Sequence, residues 1–76
     1  MSLTVADLKE GERGIITDID THRIPIKLIE MGCLPGNPIN LIQLAPYADP
    51  LYLNINGSHL AVRRDMATLI KIDKVE

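Results

Sequence analysis

Residues 30–36, Glu-Met-Gly-Cys-Leu-Pro-Gly, constrain the fold of this chain more than any other stretch. They follow a segment with helical spacing, residues 25–31, and lead into residues 39–44, which alternate as a strand does. Gly32 is placed to end the helix, because glycine adopts the left-handed backbone conformation without a Cβ clash. Pro35-Gly36 supplies a tight turn. A short helix, its end, a turn and a strand are therefore predicted in direct succession.

The predicted helix covers residues 25–31, where Pro25 suits the first turn because its φ is already helical. Leu28 and Met31 lie on the face that is expected to pack on a sheet. After the helix ends, Leu34 is expected to fold back onto that face, as an apolar residue often does beyond a glycine stop. The helix is therefore anchored at both ends by residues within a short span.

Alternation of apolar and polar residues predicts five short strands. They cover residues 13–19, 38–44, 51–55 and 59–63, with a last strand that runs from residue 70 toward 75. Asn56-Gly57 joins the third and fourth strands as a hairpin, since a type I′ turn requires positive φ at both positions. In the first strand, Ile15 and Ile19 are predicted to share one face and Ile16 to lie on the other.

Two short turns flank this strand pattern. Thr4 is predicted to cap a turn over residues 5–10, and Leu3 and Leu8 are predicted to anchor that turn in the core. Asp65 is predicted to cap a second turn, over residues 66–69, before the last strand.

Length and composition indicate one domain, residues 1–76. The chain has no Phe or Trp and two Tyr, so its core must be built from Ile, Leu, Val, Met and Ala. Such residues favour strands. We therefore predict a mainly β fold: a small, partly open, five-stranded barrel with one short helix inserted between strands 1 and 2, because closure removes exposed strand edges.

Charge and patterning exclude several functions. The net charge of −2 provides no basic field for phosphate backbones, which argues against a nucleic-acid partner. Arg63-Arg64 with Lys71 and Lys74 is interpreted as a solvated basic face near the end of the chain. No apolar run approaches the ~20 residues of a membrane helix, and no signal peptide is recognisable. One cysteine cannot form an internal disulfide, which favours the cytoplasm. Work at a membrane would need a partner to recruit the chain there.

No catalytic constellation is recognisable, so no catalytic residue is predicted. The chain lacks a phosphate-binding glycine loop and a nucleophile with a base at a familiar spacing. Cys33 follows a helix C-terminus, where the dipole raises the pKa of a thiol. It is expected to be a buried or half-buried filler.

Several motifs together resemble one known family. In chain order they are Leu-Lys-Glu-Gly at 8–11, Gly-Ile-Ile at 14–16, Lys-Leu-Ile-Glu-Met-Gly at 27–32, Leu-Pro-Gly at 34–36, Pro46 with Asp49-Pro50, and Asn-Gly at 56–57 before Leu-Ala-Val-Arg-Arg at 60–64. Their order and spacing resemble the FeoA family, the small cytoplasmic component of bacterial ferrous iron transport.

The resemblance implies an SH3-like barrel and a non-enzymatic role. The implied partner is the membrane transporter FeoB, which carries a cytoplasmic GTP-binding domain and could recruit the chain to the inner membrane. The resemblance also implies an alternative, since the same fold forms the C-terminal domain of iron-dependent repressors: a metal-responsive regulatory domain. Whether the chain forms a homo-oligomer stays open.

Because iron is implied, metal ligands are the first chemical groups to consider in this sequence. Asp18, Asp20 and His22 alternate, so an extended strand end would place them on one side, where they could hold a divalent cation weakly. His59, Asp49 and Cys33 are further candidates. The simpler interpretation is that Asp20 or Thr21 caps the helix and the other side chains are solvated. It is favoured because no closely spaced Cys/His set is present, so no cofactor is predicted beyond such a weakly held metal.

The helix carries more apolar surface than one packing face requires. Ile26 and Ile29 lie away from the face of Leu28, and Lys27 and Glu30 flank them. Exposed apolar patches usually mark partner sites, so these four residues, 26, 27, 29 and 30, are the predicted partner-binding surface. The alternative is a helix clamped between the barrel and the loop of residues 46–50, because periodicity alone does not place a two-turn helix.

Overall fold

The predicted alternating segments all form strands in the computed structural model, which describes residues 3–75. Six antiparallel strands form one sheet within those residues: β1 (Leu3–Thr4), β2 (Arg13–Ile19), β3 (Pro38–Leu44), β4 (Leu51–Ile55), β5 (Ser58–Val62) and β6 (Ile70–Val75). The strand order is β1-β6-β2-β3-β4-β5. The sheet curls around one core and stays open between β1 and β5, so the predicted mainly β, partly open barrel is confirmed.

Short helical elements connect the strands. The helices are α1 (Ile26–Glu30), between β2 and β3, and α2 (Arg64–Ala67), between β5 and β6. Two 3₁₀ turns cover Val5–Asp7 and Pro46–Ala48. The prediction of one helix between the first two long strands is confirmed, with Pro25 immediately before its first residue.

The two-residue strand β1 was not predicted. Leu3 pairs with Ile72 and Thr4 with Lys71, but two residues are too short to show alternation. Of the two predicted core anchors of this turn, Leu8 is confirmed, since it is 3% exposed, and Leu3 is wrong, since it is 39% exposed. Val5 is buried beside Leu8 in the core. Thr4 does begin the predicted turn: its backbone N–H donates to the Asp7 carboxylate at 2.8 Å.

Bulges in two strands explain where alternation fails. In β2 the pairing with β6 shifts between Ile16 and Asp18, so Thr17 is an extra residue. The bulge brings Ile16 and Ile19 to the buried side and leaves Ile15 exposed, which corrects the predicted faces. In β3 the pairing shifts between Leu41 and Gln43, and the intervening Ile42 is 44% exposed. Bulges bend strands, and here they help the sheet to curl.

The core is aliphatic throughout. Its largest fully buried side chains are Ile16, Ile39, Leu41, Leu51, Leu53, Ile55 and Ile70, together with Val5 and Cys33. Among residues 3–75 no polar or charged residue is buried. Each large aliphatic side chain contributes about 1.5–3 kcal/mol through burial, so the barrel is stabilised by branched side chains where larger domains use aromatic rings.

Gly14 marks the tightest approach between two strands. A Cβ atom at this position would lie 2.8 Å from the Asp73 carbonyl oxygen and 3.0 Å from Cδ1 of Ile72. Gly14→Ala is therefore expected to lower the free energy of unfolding by about 1–3 kcal/mol, because β6 must shift to admit the methyl group. Urea unfolding followed by circular dichroism measures this.

The matched control is Lys9→Ala, at an exposed position outside the strands, which is expected to change stability by less than about 0.5 kcal/mol. Equal unfolding midpoints for Gly14→Ala and the original chain would show that the β2–β6 contact is looser than described.

Candidate functional site

Helix α1 is short because its end is locked by backbone hydrogen bonds. Gly32 has φ of 103°. Its N–H donates to the Ile29 carbonyl at 3.0 Å, and the Cys33 N–H donates to the Leu28 carbonyl at 3.0 Å. This pair of bonds is the Schellman arrangement, which closes a helix with glycine in the left-handed region. The predicted role of Gly32 is therefore confirmed.

The apolar residue that follows the stop is Cys33 rather than Leu34. The Cys33 side chain is fully buried in the core, whereas Leu34 is 42% exposed. The prediction that Leu34 folds back is wrong, because in a Schellman end the residue directly after glycine occupies that position. Burial raises the pKa of the Cys33 thiol to about 11, so the thiol is protonated at neutral pH and suits neither nucleophilic attack nor metal binding.

Side-chain and backbone bonds hold the helix end against the barrel. The Asn37 side chain donates through Nδ2 to the Gly32 carbonyl at 2.8 Å. The Gly36 N–H donates to the Ile16 carbonyl at 2.7 Å, and the Ile16 N–H donates to the Asn37 carbonyl at 2.9 Å. Because Asn37 is bonded both to Gly32 at the helix end and to Ile16 of β2, it ties the end of α1 to the sheet.

The two isoleucines of the predicted partner surface differ in exposure. Ile26 is 73% exposed, the largest exposed fraction of any isoleucine or leucine among the exposed large hydrophobic residues. Ile29 is half-buried and packs against the core, while Lys27 and Glu30 are exposed. The helix thus presents one apolar side chain, Ile26, flanked by charge. Binding by these residues stays a prediction.

A groove of about 360 Å³ separates α1 from β5 and α2. We call it the α1–β5 groove, and its apolar lining comprises Pro25, Leu28, Met31, Leu60, Val62 and Met66. Lys27 and Arg63 also line it, and no acidic side chain does. No local sequence pattern predicts this groove, because its two walls lie about thirty residues apart in the chain.

The candidate metal ligands lie apart or are already engaged. The Asp18 carboxylate accepts the Ile19 N–H at 2.9 Å, and the Asp20 carboxylate accepts the His22 N–H at 3.1 Å. Asp18 and Asp20 line a shallow pocket of about 300 Å³, together with Lys71, whose ammonium group opposes a cation there. Within residues 3–75 no three His, Cys, Asp or Glu side chains come together as a metal site.

The remaining candidate ligands lie elsewhere. His59 is on β5 and lines a separate, mainly apolar pocket with Ile42 and Tyr52. The Asp49 carboxylate accepts the Arg64 N–H at 2.9 Å. Of the predicted set, Asp18 and Asp20 line one pocket and His22 does not, and metal binding stays a prediction.

The predicted solvated basic face is wrong at Arg64, because its side chain is half-buried. Its Nε donates to the Ala48 carbonyl at 3.0 Å and an Nη to the Ala6 carbonyl at 2.9 Å. Arg64 also begins α2, so the prediction that Asp65 caps this turn is wrong: Arg63 is the N-cap residue, and Asp49 accepts the first helical N–H.

The loop that Arg64 holds has an unusual backbone. Tyr47 and Ala48 have φ of 65° and 62°, in the left-handed region that side chains other than glycine rarely adopt. Tyr47 is fully exposed. Because the guanidinium group bonds to the Ala48 carbonyl, it stabilises a loop conformation that is otherwise costly.

We expect Arg64→Ala to lower the free energy of unfolding by about 1–3 kcal/mol, because two partly buried carbonyl groups lose a charged donor. Arg64→Lys is expected to recover less than half of that loss, since an ammonium group lacks the planar fork that reaches both oxygens. Thermal and urea unfolding measure both variants.

Arg63→Ala is the control, because Arg63 is the sequence neighbour of Arg64 but is exposed and makes no side-chain hydrogen bond among residues 3–75. A loss of stability as large for Arg63→Ala as for Arg64→Ala would contradict a specific role of the Arg64 side chain.

Strand order and an aliphatic core define a small SH3-like β-barrel domain. The sequence model of the FeoA domain family matches residues 3–74. The chain therefore belongs to the FeoA domain family, and both the family and the SH3-like fold predicted from the motifs are confirmed.

Relatives cover nearly all of this chain. A fusion of Fe(2+) transport protein A with the Fe(2+) transporter FeoB, from Porphyromonas gingivalis, is 27% identical over 74 residues, which are 96% of this chain and 9% of that protein. The chain thus spans a small part of that relative. A crystal structure of an iron uptake regulatory protein, FeoA, is 25% identical, covers 99% of both chains and has a TM-score of 0.82.

More distant structures share the fold alone. FeoA of Stenotrophomonas maltophilia, an SH3 domain protein solved with zinc, is 18% identical, covers 93% of this chain and 89% of its own, and has a TM-score of 0.80. A manganese-dependent transcriptional repressor is 10% identical, with 97% of this chain and 41% of that chain covered and a TM-score of 0.84. Along residues 3–75, no helix has the length and apolar character needed to cross a bilayer.

Proposed function

We propose that this chain is a non-catalytic accessory protein of ferrous iron transport, which acts by binding the cytoplasmic part of a FeoB-type transporter. The observation that carries the proposal is the P. gingivalis relative, in which one polypeptide contains both transport protein A and FeoB. Linking two modules raises their effective concentration toward each other. Such a fusion is useful where the two modules work in contact, which supports the same partnership between separate chains.

The outer surface of α1 is the contact that we propose. Ile26 offers a large, exposed apolar side chain between Lys27 and Glu30, and buried apolar anchors ringed by polar residues provide most of the energy in protein interfaces. The helix end at Gly32 is locked to the barrel through Asn37. Binding therefore does not need to order the helix first, which lowers its entropic cost. Ile29, three residues further along α1, packs against the core.

The proposed mechanism is differential binding. An accessory domain that binds one conformation of a transporter more tightly than another shifts the population toward that conformation. The size of the effect is limited by the difference between the two affinities. This mechanism requires a rigid surface and no reacting group, which fits an aliphatic barrel whose single thiol is buried.

The experiment compares two isoleucine variants. Ile26→Ser is expected to weaken binding to the purified cytoplasmic part of the transporter by about tenfold or more, because it removes the proposed anchor. Ile42→Ser is the matched control: it removes the same side chain from an exposed site on the outer face of β3. Isothermal titration calorimetry gives both affinities, and circular dichroism checks that both variants stay folded.

The cellular arm uses a strain that lacks this chain. Ferrous iron uptake at low iron is expected to fall in that strain and to recover with the original chain or Ile42→Ser, but less with Ile26→Ser. Normal binding and uptake with Ile26→Ser would remove α1 from the proposed contact, and unchanged uptake after deletion would remove the transport role.

A metal-responsive regulatory domain is the second candidate. The shared fold of the manganese-dependent repressor and the neighbouring carboxylates of Asp18 and Asp20 support it. Under this alternative, equilibrium dialysis with Mn²⁺ or Fe²⁺ would detect one bound ion per chain. Asp20→Asn and His22→Ala would each abolish it, and Asp73→Asn, an exposed carboxylate on β6, would not. We expect no stoichiometric binding, because Lys71 lines the same pocket.

A further inference from the structure

Strand β5 has an open edge. The strand order places it at one end of the sheet, paired with β4 alone. It begins after a two-residue turn in which Asn56 and Gly57 have φ of 50° and 92°, so Ile55 and Ser58 form a hydrogen-bonded pair. Alternation then directs the N–H and C=O groups of His59 and Ala61 away from β4. Within residues 3–75, neither residue has another backbone hydrogen-bond partner.

The α1–β5 groove runs along this open edge. Three consecutive residues of β5, Leu60, Ala61 and Val62, line it. Neighbouring side chains on a strand point to opposite faces, so contact with three residues in succession indicates that the groove follows the edge of β5. The opposite wall comes from the apolar residues of the α1 side, which leaves room for a chain between helix and strand.

The charge of the groove selects its occupant. Lys27 and Arg63 line it, and no carboxylate does. The only salt bridge among residues 3–75 joins Lys74 to Glu12, so neither groove cation is neutralised there. This local positive charge stands out in a chain whose net charge is −2. A segment that carries carboxylates is therefore complementary to the groove, and a basic segment is repelled.

We propose that the α1–β5 groove binds an extended peptide segment with apolar and acidic side chains, which adds to β5 as a further strand. The backbone groups of His59 and Ala61 would pair with the segment, the apolar walls would take its inward side chains, and Lys27 and Arg63 would bind its carboxylates. Strand addition of this kind obtains affinity from main-chain hydrogen bonds and selectivity from side-chain pockets. The inference goes beyond the proposed transport role, because it specifies the chemistry of a ligand whichever protein supplies it.

The test uses a synthetic peptide, acetyl-Asp-Val-Thr-Leu-Thr-Val-Asp-amide, added to the ¹⁵N-labelled chain. We expect chemical shift changes along β5 and α1, together with slower hydrogen exchange at the N–H groups of His59 and Ala61. A peptide N-methylated at alternate amides keeps its side chains but cannot pair with a strand edge. Its affinity should fall about fivefold for each hydrogen bond lost. Replacing both Asp residues by Lys should weaken binding at least about tenfold.

A pair of protein variants isolates the strand edge. Ala61→Pro removes one outward N–H and is compatible with an edge strand, so it should weaken binding about fivefold. Ala61→Val keeps the N–H and should bind as the original chain does. Should Ala61→Pro fail to fold, the N-methylated peptide still decides the question, because it leaves the protein unchanged.

Three results would overturn the proposal: no binding of the peptide at millimolar concentration, equal affinity for the N-methylated peptide, or shifts centred on Ile42 and Tyr52. Concentration-dependent dimers of the free chain that Ala61→Pro abolishes in sedimentation velocity would also overturn it, because the edge would then belong to a second copy. Ile26→Ser separates this inference from the transport role, since it should leave peptide binding unchanged.

Discussion

The left-handed backbone of Gly32 is the constraint on which the arrangement of this domain depends. Because the helix ends there, the Cys33 N–H reaches back to the Leu28 carbonyl and the Cys33 side chain enters the core. A side chain at residue 32 would carry a double cost. Its φ of 103° is strained for any L residue, and its Cβ would lie 3.0 Å from Cβ of Asn56. The end of α1 is thus in contact with the tip of the β4–β5 hairpin. The α1–β5 groove lies between this helix and the strand that begins at the hairpin tip.

How far the sequence predicts this fold depends on the range of each interaction. Gly32, Asn56-Gly57 and the alternating runs act within a few residues, and each of those predictions is confirmed. The failures occur where distant segments decide. Thr17 becomes an extra residue only because β6 shifts against β2, and Arg64 turns inward because the Ala48 and Ala6 carbonyls lie beside it. A doublet of arginines looks the same in sequence whether both are solvated or one holds two loops together.

For the candidate site, too, local features could be predicted and features that depend on distant segments could not. The order of motifs was sufficient to predict the family, and helical periodicity was sufficient to draw attention to Ile26 and Ile29. Periodicity could not rank the two, because a helix of five residues has too few turns for a pattern to separate faces. Their exposures were set by how α1 lies on the barrel, which depends on Asn37 and on the bonds to β2. The open edge of β5 could not be predicted either, because the sequence pattern of a strand does not show whether it lies at the centre or at the end of a sheet.

One short helix serves both proposed surfaces, and this links them. Ile26 faces outward from α1, while Lys27 and Leu28 line the groove on the next positions of the same turn. A partner that buried Ile26 would approach the rim of the groove and reduce the solvation of Lys27, which strengthens the attraction of that ammonium group for a carboxylate. Among residues 3–75, the aliphatic core has no buried polar or charged side chain that could switch between states. Coupling between the two surfaces would therefore arise from shared electrostatics on a rigid helix and would need no change of fold.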